Sequence, residues 1–73
     1  MTARELHELN AAVKESYRDN ITGKLLANLD YTTNGADGFS DEWDKYQKIK
    51  DREVVGIFTY MDSKRPCIGA YLF

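Results

Sequence analysis

The last third of the chain constrains its architecture most. Residues 53–60 and 67–73 are two runs of β-branched, aromatic and small apolar residues, separated by Met61-Asp-Ser-Lys-Arg-Pro66. Val54, Val55, Ile57, Phe58, Thr59 and Tyr60 favour extended backbone. The second run, Cys67-Ile68-Gly69-Ala70-Tyr71-Leu72-Phe73, is apolar throughout. Two such runs joined by a short polar loop predict a β-hairpin. Both carry apolar side chains on both faces, so the hairpin is expected to be central to the core or covered by a helix on at least one side.

The covering elements are expected upstream. Thr2 and Glu5 form a capping box at a helix start. Leu6, Leu9, Val13 and Tyr17 then follow at helical spacing and predict an amphipathic helix over 3–18. Arg4, Glu8, Lys14, Glu15 and Arg18 lie largely off that stripe, and Asp19-Asn20 is a stop. Residues 21–33 fit two periods. Leu25, Ala27, Leu29 and Tyr31 share a face of a strand, whereas Ile21, Leu25 and Leu29 line up on a helix. Gly23 and Tyr31-Thr32-Thr33 tip the reading to a strand over about 24–32.

Thr33-Asn-Gly-Ala-Asp-Gly38 is a turn-rich loop. Ser40 caps a second helix over about 41–50, with Asp41 and Glu42 at its positive end and Lys48 and Lys50 at its negative end. Phe39, Trp43, Tyr46 and Ile49 fall on one side of it. The order is α-β-α-β-β. It predicts a small α+β single domain over 1–73, two helices against a small antiparallel sheet with a C-terminal β-hairpin. The competitor is three helices plus a hairpin.

Size and charge narrow the function classes. The core of a 73-residue chain supplies a net stability of only roughly 3–5 kcal/mol. Cys67 is the one cysteine, so no intramolecular disulfide forms, and a cytoplasmic location is expected. The first residues carry no apolar leader core, and no window is apolar enough to span a membrane. Ten Lys and Arg against twelve Asp and Glu argue against duplex DNA as the main ligand.

Catalytic constellations are missing. His7 is the one imidazole, and a nucleophilic pair would require it to meet Cys67. His7 is expected at an exposed position in the first helical turn, and Cys67 as a small buried hydrophobe. Glu5 with Glu8, and Asp41 with Glu42 and Asp44, read as solvated carboxylates at helix starts. Two Cys and His residues are too few for structural zinc, and the loop from Asp30 to Gly38 lacks the ligand spacing of a calcium loop. No catalytic residue, metal or cofactor is therefore expected.

Aromatic content is the remaining signal. Five Tyr, three Phe and one Trp are hard to hide in so small a core. Tyr and Trp dominate binding hot spots. Tyr31, Trp43, Tyr46 and Tyr60 are the candidates for partial exposure. Trp43 and Tyr46 also fit the core under the second helix, which is the preferred reading for Trp43, and Tyr31 suits surface and core alike. The leading expectation is a non-catalytic regulator that docks on a larger protein through Tyr31, Trp43, Tyr46, Lys64 and Arg65. By analogy of size and composition alone, phage and mobile-element inhibitors of a host enzyme, RNA polymerase or a defence nuclease, are chains of this kind. One alternative is an RNA or single-strand binding module using Lys45, Lys48, Lys50 and Arg52, beside Trp43 and Tyr46. Another is a homodimer joined through the strand 67–73.

Overall fold

The computed structural model describes residues 1–9, 12–31 and 39–73. The turn-rich loop at 33–38 lies outside the described residues. The chain runs α1 (Ala3–Leu9), β1 (Lys14–Asp19), β2 (Leu25–Asp30), α2 (Phe39–Ile49), β3 (Val54–Asp62) and β4 (Arg65–Leu72). The α+β class, the strand within 24–32 and the existence of the second helix and the C-terminal hairpin stand as read from the sequence. The second helix, however, starts at Phe39, so Ser40 lies inside it rather than capping it. The sheet order is β2-β1-β4-β3. Both outer pairs are antiparallel, whereas β1 and β4 run parallel, so the sheet is mixed rather than antiparallel throughout.

The first helix is shorter than its periodicity suggests. Its capping box forms: Thr2 N donates to Glu5 Oε1 at 3.0 Å and Glu5 N donates to Thr2 Oγ1 at 3.3 Å. The helix then ends at Leu9, which is 74% exposed, and Lys14–Asp19 is a strand. The reason is ambiguity of period. Residues four apart, such as Val13 and Tyr17, share a face in a helix and in a strand alike. Between β2 and β4, residues 14–19 find backbone partners on both sides. Those ladders outweigh a modest helix propensity.

Strand alternation sorts the side chains. Glu15 and Tyr17 of β1 lie in register with Leu29 and Ala27 of β2 and with Ile68 and Ala70 of β4. These face the helices and, with Ala3, Leu6, Tyr46, Ile49 and Leu72, make the core. Ser16, Gly69 and Phe58 lie in register on the other, helix-free face. An aromatic row covers it, with Phe58 at 6.0 Å from Tyr60 and 5.3 Å from Tyr71 between ring centroids. Ser16 Oγ donates to Asn28 Oδ1 at 3.2 Å, which leaves Tyr60 Oη to donate to Ser16 Oγ at 2.9 Å.

The hairpin is tighter than the 61–66 loop read from the sequence. Met61 pairs with Pro66 and Asp62 with Arg65, leaving Ser63 and Lys64 as the turn. Both have left-handed backbone, φ 52° and 67°. Two consecutive positive φ values give the turn the twist that matches its flanking strands.

Asp19 fastens the opposite end of the sheet. Its Oδ2 accepts from Ile21 N, Thr22 N and Thr22 Oγ1, which builds the β1–β2 turn. Its Oδ1 accepts from Arg52 at 2.7 Å, and Arg52 also donates to the carbonyls of Leu72 and Phe73. The Thr22 amide, followed by the Arg52 guanidinium, holds the Asp19 carboxyl down to about 2. A carboxyl lowered by folding contributes stability above its unfolded pKa and loses it as pH falls through the folded one. Asp19→Asn should therefore melt below the parent at neutral pH. The gap between the two melting temperatures should close as pH falls from about 4 towards 2. A gap that stays constant over that range would disprove the assignment.

Candidate functional site

Three elements converge at the far end of the helix-bearing face. α1 supplies His7, β1 supplies Glu15 and Tyr17, and α2 supplies Phe39, Trp43 and Tyr46. Tyr31 follows directly on β2. His7 falls one turn after the cap, on the side of α1 that also buries Ala3 and Leu6. Trp43 and Tyr46 are three apart on α2, so both point at the sheet.

Glu15 is the centre of the site. It is 2% exposed, a buried carboxyl in a very small core. Its Oε1 lies 2.8 Å from His7 Nδ1 and accepts from the Tyr17 hydroxyl at 2.7 Å. The Tyr31 hydroxyl reaches the same His7 nitrogen at 3.2 Å. His7 is then walled by rings, with centroids 5.1 Å from Tyr46, 5.5 Å from Trp43 and 6.4 Å from Tyr31. Trp43 continues the cluster to Phe39 and Phe39 to Tyr31. Burial, followed by the Glu15 contact, pushes the Tyr17 hydroxyl far above the usual phenol range. Burial and the nearby Glu15 carboxyl raise Tyr31 and Tyr46 in the same direction.

The sequence reading of these residues needs two corrections. His7 was expected to be exposed, but its side chain is only 24% exposed and turned onto Glu15. Tyr46 was a candidate for direct partner contact, but it is 2% exposed and sealed between Tyr17, Trp43 and His7. Trp43 takes an intermediate position: it packs on the core and still reaches the surface. Tyr31 is 39% exposed at the rim. Lys64 and Arg65 are exposed at the hairpin turn. They share an end of the sheet with Tyr31, since Val13 bonds both Pro66 and Tyr31. Two strand spacings, about 10 Å, separate the β4 end from Tyr31.

The basic residues of the alternative reading do not form a patch. Lys45 pairs with Glu42 at 3.0 Å, Lys50 Nζ donates to Gln47 Oε1, and Arg52 is held by Asp19 and the end of β4. Lys48 alone of the four has no side-chain partner among the described residues. Cys67 is buried as expected, its thiol on Arg65 O at 3.6 Å. It precedes Ile68, the register partner of Glu15, so strand alternation sets it on the face opposite the His7 site.

Sequence reasoning missed Glu15. A helix over 3–18 makes it one more solvated charge. The available signal was the alternation of 14–19, which puts Glu15 and Tyr17 together on one face of a strand. Among the described residues no three His, Cys, Asp or Glu are grouped to hold a metal ion. No helix among them is long and apolar enough to cross a membrane. No family model, curated protein or solved structure matches this chain.

Proposed function

We propose that this chain is a non-catalytic protein-binding regulator that docks on a larger protein through the aromatic rim formed by Tyr31, Phe39 and Trp43. The observation that carries the reading is the fastening of that rim. Trp43 and Tyr31 reach the surface and rest on His7, which is tied to the buried Glu15. Aromatic anchors held rigid before binding lose little entropy on docking, which is the property of hot-spot residues. Lys64 and Arg65, at the same end of the sheet, supply a charged flank that steers an acidic partner surface. The finer reading, an inhibitor of a host enzyme encoded by a phage or mobile element, rests on size and composition.

The test is affinity capture with the full chain, with and without nuclease, in parallel with Tyr31→Ala and Lys64→Glu/Arg65→Glu. The expected result is one stoichiometric, nuclease-resistant protein that both variants retain poorly while keeping the parent circular dichroism spectrum. Loss of every captured partner on nuclease treatment would favour the nucleic-acid reading instead.

A further inference from the structure

The two edges of the sheet are treated differently. On β2, the outward amide of Asn28 donates to Glu42 Oε2 at 2.8 Å, and α2 packs over the strand. That edge is capped. On β3, Val54 N donates to Met1 O and Thr2 bridges Glu53. From Val55 to Asp62, nothing among the described residues pairs with the outer edge. The stretch from Val54 to Met61 has no charge and no proline, the usual devices that blunt an edge. Ile57 and Met61 lie in register with Ala70 and Pro66, yet they are 51% and 65% exposed. The strand 67–73, expected from sequence to be the dimer edge, is paired on both sides and closed to this use.

We propose that β3 is a homodimer interface, in which two copies pair their β3 strands antiparallel into one continuous eight-stranded sheet. The choice of a second copy as the occupant rests on self-complementarity. A bulge between Val54 and Gly56 limits regular pairing to residues 56–62. A two-fold axis at Thr59 centres that segment on itself. It sets Ile57 against Met61 of the other copy, Phe58 against Tyr60, and Thr59 against Thr59. Each of these is a favourable cross-strand pair. Antiparallel pairing also brings the start of one strand to the end of the other. Glu53, 61% exposed although it touches the Met1 amine at 3.3 Å, then faces the Lys64–Arg65 tip of the second copy. The tip has its positive charge to spare, because Asp62 is already matched by Lys14. This interface lies at the edge remote from α2 and leaves Tyr31, Phe39 and Trp43 of the aromatic rim free. It engages the Lys64–Arg65 tip that also flanks that rim, so Thr59→Lys, which does not touch the tip, separates the two.

Sedimentation equilibrium of the full chain from micromolar to millimolar concentration tests the proposal. The expected result is a monomer–dimer equilibrium. Thr59→Lys sets two ammonium groups face to face and should raise the dissociation constant about tenfold or more. Thr59 is exposed, so the variant should keep the parent melting temperature at concentrations where both are monomeric. Glu53→Lys should weaken the dimer, and adding Lys64→Glu with Arg65→Glu should restore it. A monomer throughout the range overturns the proposal, as does a dimer indifferent to Thr59→Lys. A monomer that instead gains β3 amide protection when an unrelated extended peptide is added would also overturn it, in favour of a foreign strand.

Discussion

Replacing Glu15 with alanine is expected to unfold the domain at room temperature. The side chain is 2% exposed and receives the Tyr17 hydroxyl, itself 1% exposed, together with His7 Nδ1. Truncation leaves a buried hydroxyl and an imidazole without their acceptor, and opens a cavity beneath α1. Each buried donor left without its acceptor costs about 1–3 kcal/mol. The two together, with the cavity, are comparable with the roughly 3–5 kcal/mol available to a core of this size. Glu15→Gln keeps one acceptor oxygen and the side-chain volume, so it should lose only about 1–2 kcal/mol. Thermal melts followed by near-ultraviolet circular dichroism separate the two cases. If Glu15→Ala melted within a few degrees of the parent, the network would be an ornament on an apolar core.

The second large effect lies on the other face of the sheet. Gly69 is the cross-strand partner of Phe58, and a Cβ added at Gly69 would overlap the Phe58 ring. The far edge of the ring, Cζ with both Cε atoms, occupies the space a Cβ would take and covers backbone that a side chain would otherwise shield, an aromatic–glycine pairing known to stabilise strands. Gly69→Ala should therefore cost about 1–3 kcal/mol, as Phe58 is forced off its site. In a Phe58→Ala background the same change should be neutral or stabilising, since alanine orders the strand more cheaply than glycine by about 0.5–1 kcal/mol. A double-mutant cycle from urea titrations measures the coupling. Equal costs in both backgrounds would place the strain elsewhere.

These predictions rest on parts of the structure with very different visibility in the sequence. The β3–β4 hairpin was legible because two β-branched and aromatic runs flank a short polar loop. The burial expected of both runs holds for β4 alone, since β3 lies at the edge with Val55, Ile57 and Met61 more than half exposed. The second helix was legible from its charged ends and the spacing of Phe39, Trp43, Tyr46 and Ile49. The Thr2–Glu5 box was legible because capping is local chemistry. β1 was not, because Val13 and Tyr17 satisfy both periods. The candidate site was half legible. Tyr31 and Trp43 stood out by residue type, but their support did not, since a glutamate and a histidine eight apart give no sequence sign of touching.

The α+β class, the hairpin and the capped helix start follow from the residues alone. Each of these rests on local propensity. Long-range packing makes residues 14–19 a strand, Glu15 the buried acceptor for His7 and Tyr17, and β3 rather than β4 the edge. All three have one cause. A backbone hydrogen bond across a sheet, or a carboxyl placed beneath a helix, depends on which segments become neighbours. That is settled by how the whole chain satisfies its buried polar groups at once, not by the residues of any one segment.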